Sequence, residues 1–387
     1  MLPFPQVDER AAAVRILVLT TDGFGGHGGI ALYARNVLTA LCAHPSKPEA
    51  VALPRVAPLP IEALPDGLTW DTSGLGGKGK YLGAVARQTV HKYDLVICMH
   101  VNLLSLAYLV RALHQVPIVL FVYGVEVRQK PRQLLTARFV EKVDALISIR
   151  GNTTRMLKAW ANIDSVPLYA LENAIHLDRY GIGPKNPKLV EKYGIAGKTV
   201  VMTMGRVEET YKGFDEVIEV LPRLAQKIPN VVYVVAGGGH DVPRLQQKAQ
   251  SLGVADRVVF TGFVRDAEKA DHYRLADVYA MPGTGPDFDR YPLRFVFLEA
   301  MACGVPVVGC RPEDDEEARV DGALLSEMVD PRNPDDIVRG ITAALAKGSG
   351  AIPAGLSRFS FPEFQRRLHR VVDDVMKRSA HGARPLS

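Results

Sequence analysis

Lys198-Thr-Val-Val-Met-Thr-Met-Gly-Arg-Val207 decides the fold, because it repeats at mid-chain what Arg15-Ile-Leu-Val-Leu-Thr20 and the glycines after it do near the start. Each is a short, unbroken apolar run that stops in glycine-bearing, polar chain. Such runs suit strands buried on both faces, as in parallel sheets covered by helices. Outward from the second run, Phe214–Lys227 reads as a helix closed by Pro229, and Val231–Ala236 as a strand entering Gly237-Gly-Gly239. Arg257–Thr261, Val278–Met281 and Val305–Val308 read as further strands. Outward from the first run, Ile30–Cys42 is a helix, and Tyr93–Cys98, Val116–Val122 and Ala145–Ile149 are strands. Strand and helix alternate, stop, and begin again. That predicts the α/β class, with two Rossmann-like domains whose ligands bind beyond the carboxyl ends of the strands, facing across a shared cleft.

The pattern loosens between Val166 and Pro187, where Asn173, Gly181, Gly183, Pro184 and Pro187 mark a linker. The expected domains are therefore 1–173 and 174–360, and 387 residues suit two cores of about 150–200 residues each. Phe361–Arg378 follows as one amphipathic helix with Phe364, Leu368, Val371, Val372 and Val375 on one face.

Forty-seven Lys and Arg against 42 Asp and Glu give a net charge of +5, a mild excess that suits anionic small ligands or an anionic membrane surface. It does not argue for nucleic acid, and no nucleic-acid-binding motif is present. The four cysteines lack CxxC spacing and read as reduced thiols. Pro3, Pro5, Asp8 and Glu9 precede any apolar run, which is unlike a signal peptide, and no run is long enough to span a bilayer. The expectation is a cytoplasmic protein with a peripheral contact at the inner face of the membrane. Lys78, Lys80, Arg87 and Lys92, and the basic residues from Arg128 to Lys142 interleaved with Leu134, Leu135, Phe139 and Val140, would serve that contact or form solvated helix faces.

Three places carry candidate chemistry. Gly23-Phe-Gly-Gly-His-Gly-Gly29 follows the first strand and opens a helix, so its N–H groups can approach an anion. Gly23, Gly25 and Gly28 also fit GxGxxG, which keeps a dinucleotide oxidoreductase open. The acid that fingerprint needs at the end of a second strand is not in place, since Glu49 precedes the run Ala50–Leu53 that Pro54 cuts off. Gly205-Arg206 ends a strand, and Lys212 lies just beyond, where two cations can meet a diphosphate. Glu299 lies inside the apolar helix Phe295–Cys303, capped by Gly304, and a buried carboxylate there needs partners such as ribose hydroxyls or structural donors.

Gly205-Arg206 with Lys212-Gly-Phe-Asp215, then Phe260-Thr-Gly-Phe-Val264, then Phe297-Leu-Glu-Ala-Met-Ala-Cys-Gly-Val-Pro-Val-Val308 resemble retaining glycosyltransferase family 4, whose members have the GT-B fold. Leu171–Tyr180 resembles the family's inter-domain segment. The helix introduced by Arg358-Phe-Ser-Phe361 resembles the one that returns to the first domain, so 361–387 is grouped with 1–173. The resemblance implies transfer of a hexose from a nucleoside-diphosphate sugar to a glycan or lipid-linked saccharide, as in bacterial surface polysaccharide synthesis, with no metal and no cofactor beyond the donor substrate. Arg206 and Lys212 would neutralise the diphosphate. Gly205 borders it, Phe263 and Val264 would flank the base, and Glu299 would hold the ribose. Gly25 and Gly26 would border the diphosphate, Gly28 and Gly29 the acceptor.

Two departures stand out. The family usually carries a second glutamate eight positions before Glu299; here that position is Tyr291, and the glycine-rich approach has become Pro292-Leu293-Arg294 before Phe295. Tyr291, Leu293, Arg294 and Phe295 are the donor-side candidates there, with Asp287 or Asp289 able to replace the carboxylate. In Phe121–Val127, Tyr123 stands where relatives commonly have His; it keeps a hydroxyl for a sugar, while Glu126 is the candidate acid, base or acceptor-binding group, or else a helix-cap or salt-bridge carboxylate. His100 is an acceptor-side candidate. A non-catalytic nucleotide-sugar binder and a nucleotide-sugar epimerase remain as alternatives.

Overall fold

A computed structural model describes residues 14–26, 28–127, 135–149, 151–208, 212–283, 295–311 and 326–381. The chain divides into two compact units, one running to Ala174 and resuming at Phe361, the other Ile175–Ser360.

The first unit holds β1 (Arg15–Thr20), β2 (Glu49–Pro54), β3 (Leu68–Trp70), β4 (Leu95–Cys98), β5 (Ile118–Val122), β6 (Ala145–Ser148) and β7 (Leu168–Ala170). All pair in parallel, in the order β3-β2-β1-β4-β5-β6-β7. The second unit holds β8 (Thr199–Met204), β9 (Val231–Ala236), β10 (Val258–Gly262), β11 (Val278–Met281), β12 (Val307–Cys310) and β13 (Glu327–Val329), parallel in the order β10-β9-β8-β11-β12-β13. Each sheet starts at its centre, winds outward to one side and then crosses to the other. That doubly wound order puts a switch point beside β1 in one unit and β8 in the other.

The unbroken apolar runs are explained by burial on both faces. In β8, Val200, Met202 and Met204 join one core cluster and Val201 another. In β1, Leu17 and Leu19 face one core while Ile16 and Val18 are equally inaccessible on the opposite side. The outer strands β3, β7 and β13 have three residues each, most of them half-buried or exposed, so they leave no apolar run to read. The segment that reads as a linker contains β7, and the unit boundary follows it at Ala174.

The helix Phe361–Ala380 buries Phe364, Leu368, Val371, Val372 and Val375. It packs in the first unit against the helix Gly29–Cys42, where the Tyr33 and Phe364 rings meet edge to face at 5.6 Å and His369 bonds the Ala40 carbonyl at 2.6 Å. Five buried apolar side chains, at about 1.5–3 kcal/mol each, hold this helix to the first unit.

Candidate functional site

In the second unit the polar groups gather at the carboxyl end of β8. Gly205 and Val207 donate to Ala236 and Gly238 at 2.9 Å each, so the chain leaving β8 zips onto the glycine run after β9. That approach needs glycine: a Cβ on Gly237 would lie 1.9 Å from the Gly205 oxygen, and one on Gly239 2.0 Å from that of Val207. The Lys212 side chain lies alongside Gly205, and its Nζ donates to the Arg206 carbonyl at 2.9 Å. Lys212 is only 9% exposed, whereas the Arg206 side chain is 62% exposed and reaches Glu208 at 3.7 Å. Gly213, with φ 81°, then turns into the helix Phe214–Lys227 while packed against Pro282 and Gly283 beyond β11. The structure thus brings Arg206 and Lys212 together. Asp215 of the same motif does different work: it binds Arg244 and Lys248, clamping its helix to the helix Val242–Ser251.

Glu299 is 3% exposed in the helix Phe295–Ala302. Its carboxylate accepts the Tyr273 hydroxyl at 2.6 Å and the Lys269 ammonium at 3.4 Å, and Lys269 also reaches Asp266 at 2.9 Å. Tyr180 bonds the same carboxylate, which with burial holds the Tyr180 hydroxyl far above its usual range. The donors were not legible because Tyr180, Lys269 and Tyr273 lie far from residue 299 in sequence. Of the pair expected to flank a base, Phe263 stands out at 71% exposure, while Val264 is packed into the core. Phe295 begins its helix half-buried; Tyr291, Leu293, Arg294, Asp287 and Asp289 lie outside the described residues.

In the first unit, the ends of five adjacent strands carry Trp70 (β3), Arg55 (just after β2), Asp22 (after β1), His100 (after β4) and Tyr123 (after β5). Arg55, where a dinucleotide fold places its ribose-binding acid, removes the group an oxidoreductase needs. Gly28, with φ 96°, is the N-cap of the helix that Gly29 begins. Gly25 has its N–H taken by the Glu62 carboxylate, which Arg35 pairs at 2.8 Å. Arg35 also donates to the Gly26 carbonyl at 2.8 Å, so the loop is tied down from within its own unit.

His100 accepts the Asn102 N–H at Nδ1, 3.1 Å, which leaves its ring proton on Nε2. Burial, with the Arg55 charge, pushes its pKa down and keeps the ring neutral. Glu126 accepts the backbone N–H of Tyr123, a turn-capping contact. Burial raises its pKa while the backbone N–H groups of Tyr123, Glu126 and Gly124 oppose the rise. The Tyr123 ring meets Tyr33 edge to face at 5.4 Å, and burial holds its hydroxyl protonated. Asp22 and Trp70 escaped the sequence reading: one is a single acid before a glycine run, the other ends a strand too short to see.

Residues 198–347 match the family model for glycosyl transferases group 1. The second unit is a glycosyl transferases group 1 domain. The chain is 35% identical over 215 residues to the GDP-mannose-dependent alpha-(1-6)-phosphatidylinositol monomannoside mannosyltransferase of Mycolicibacterium smegmatis, covering 55% of this chain and 56% of that one. It is 30% identical over 219 residues to the protein of the same description from Mycobacterium tuberculosis, covering 54% and 55%. The chain thus spans about half the length of the curated relatives it matches. Anabaena Alr3699/HepE, solved in complex with UDP-glucose, shares the fold with a TM-score of 0.70 at 20% identity, over 93% of this chain and 99% of that one. This group 1 domain and the first unit's parallel sheet together constitute the GT-B fold.

Proposed function

We propose that this chain is a retaining, metal-independent glycosyltransferase that moves a hexose from a nucleoside-diphosphate sugar to a lipid-linked saccharide or related glycan. The observation that carries it is the convergence of Arg206 and the buried Lys212 at the end of β8 in the group 1 domain. A buried ammonium beside a solvent-facing guanidinium can stabilise a diphosphate as charge builds on it in the transition state, the preorganised, part-desolvated Lys212 contributing most. Gly205 keeps side chains out of the phosphates' path. Glu299, held in place by Tyr273, Tyr180 and Lys269, is the ribose acceptor, and exposed Phe263 covers the base. The first unit supplies Gly28, Gly29, His100 and Tyr123 to the acceptor. Glu126 acts through its cap on the Tyr123 turn, as a positioning group rather than a proton carrier.

The mannosyltransferase relatives support a GDP-mannose donor and a phosphoinositide-linked acceptor as first substrates to try, and the HepE complex supports UDP-glucose as the control donor. Among the described residues no helix is long and apolar enough to cross a membrane. A peripheral contact is proposed through the neighbouring helices Lys78–Gln88 and Leu104–His114. The first of these helices carries exposed Leu82 with Lys78, Lys80 and Arg87, and the second exposed Leu109 and Leu113.

Calorimetric titration with GDP and UDP tests the assignment. Lys212→Ala should weaken diphosphate binding roughly 10- to 100-fold, the usual cost of a charge-assisted bond, while the exposed Lys192→Ala changes it little. Equal effects of the two substitutions would remove the diphosphate site. The anomeric proton of the first product, followed by NMR, separates retention from inversion.

A further inference from the structure

An anion is already seated on the glycine-rich loop of the first unit. Glu62 spans two donors, one with each carboxylate oxygen: Oε2 accepts the Gly25 N–H, and Oε1 accepts the Arg35 guanidinium at 2.8 Å. A loop N–H beside a guanidinium is a donor set that phosphate oxygens take. Here a side chain of the same unit fills it.

The segment that carries Glu62 is held at its ends and little in between. No residue from Val56 to Thr69 is buried, and no helix or strand lies between Pro54 and Leu68. Val56, Leu59 and Leu64 are 53%, 83% and 40% exposed, so apolar burial does not hold the segment down. At one end the Val56 N–H donates to the Thr21 carbonyl at 2.9 Å, and at the other the Gly67 carbonyl accepts the Ala50 N–H at 3.1 Å. Among the described residues, Glu62 makes the hydrogen bonds that tie 57–64 to the rest of the unit. The middle rests on the glycine loop itself, since a Cβ on Gly25 would lie 1.9 Å from the Pro58 oxygen.

We propose that residues 56–66 are an autoinhibitory strap, with Glu62 as a tethered competitor for a phosphate group at Gly25 and Arg35. Arg35 decides the charge of what replaces Glu62. Its side chain is 14% exposed and Asp22 is its other acidic neighbour, so lifting Glu62 away leaves a largely buried guanidinium short of counter-charge. A phosphate oxyanion restores that charge; a neutral polyol does not. The anchored ends let the middle lift while β2 and β3 stay paired. The inference rests on the transferase reading for the phosphates to try, and it adds a regulation: apparent affinity falls with the fraction of molecules whose strap is closed. Two sources carry this chemistry, the diphosphate of a nucleotide and the phosphodiester of a lipid-linked acceptor.

Glu-C protease reads the strap directly, because it cuts after a glutamate only when that carboxylate is free to enter the protease. The full-length protein would be digested briefly with inorganic pyrophosphate, GDP, glycerophosphoinositol or myo-inositol present. The fragment ending at Glu62 is then quantified by mass spectrometry against the cut after exposed Glu191. A phosphate should speed the cut after Glu62 by about threefold or more, and myo-inositol should not. Acceleration by pyrophosphate and GDP assigns the nucleotide as the source; acceleration by glycerophosphoinositol alone assigns the acceptor. By calorimetry, Glu62→Gln should tighten binding of the same phosphate about 5- to 50-fold, the gain expected for a strap closed in about 80–98% of molecules. Glu62 is exposed and the protease arm uses the unmodified protein, so the test does not hang on the folding of the variant. If no phosphate speeds the cut, or if Glu62→Gln leaves phosphate binding unchanged or weaker, the strap is overturned. The transferase reading then still stands where GDP binding falls in Lys212→Ala, and both fall if the parent binds no nucleotide.

Discussion

The two units carry the same sheet order and differ in what stands at its carboxyl edge. In the second, charged groups are already held: Lys212 on the Arg206 carbonyl, Glu299 between Tyr273 and Lys269. In the first, three inaccessible polar atoms of half-buried side chains, Asp22 Oδ1, Trp70 Nε1 and Tyr123 Oη, lack a partner. A rigid, satisfied edge suits a constant ligand such as a nucleoside diphosphate, since preorganised donors need no rearrangement when charge develops. An unsatisfied edge keeps interaction energy in reserve for a ligand that completes it. One architecture thus differs between its two edges in how far each is completed before any ligand arrives.

The comparison is broken most directly by removing a carboxylate from each edge. Glu299→Ala should cost the second unit roughly 2–3 kcal/mol by chemical denaturation; the loss stays below that of a fully isolated buried pair because Lys269 keeps Asp266. Asp22→Asn should leave stability unchanged or raise it by up to about 1 kcal/mol at pH 7, because burial raises the Asp22 pKa and the substitution relieves that penalty, less the share Arg35 and solvent already offset. A raised carboxyl pKa means the folded state prefers the protonated form, so this advantage should fade as pH falls toward about 4 and be gone below it, where the unfolded side chain is protonated too. If both substitutions cost the same, the edges do not differ in the way described.

Smaller effects sharpen the contrast by pH. His176 in the second unit is pushed down to about 4 by burial and the Arg179 guanidinium, and His100 in the first is lowered by burial and Arg55. Both groups take up a proton on unfolding, so folded stability should decline from about pH 6.5 downward. His176→Gln should flatten the denaturation midpoint between pH 6.5 and 4 for the second unit, and His100→Gln should do so less for the first. No change of slope in either variant would remove histidine from the account. Last, Leu109→Ser with Leu113→Ser should reduce sedimentation with anionic phosphatidylglycerol vesicles several-fold, each lost leucine contributing about 1.5–3 kcal/mol when buried in lipid. Unchanged sedimentation would leave these leucines as ordinary surface.

Much of this was legible in the sequence, element by element. Unbroken runs such as Leu17–Leu19 and Val200–Met202 could only be strands covered on both sides, and the amphipathic face of Phe361–Ala380 announced a docked helix. The pairing of Lys212 with the end of β8 was also foreseeable, because Gly205, Arg206, Lys212 and Gly213 lie within nine positions. The three-residue strands were not, since half-exposed side chains leave no periodic signal.

What the amino-acid order settled by itself, then, is burial along each element and the placement of glycine where backbones touch, as at Gly237 against Gly205. Those are local properties, set by side-chain size and hydrophobicity within a few residues. Only the tertiary structure put Trp70, Arg55, Asp22, His100 and Tyr123 side by side, because the strand order β3-β2-β1-β4-β5 runs back on itself before moving forward. It alone gave Glu299 its three donors and left Asp22 Oδ1 without one, since such partners are chosen by the packing of distant segments and no periodicity in the chain records that choice.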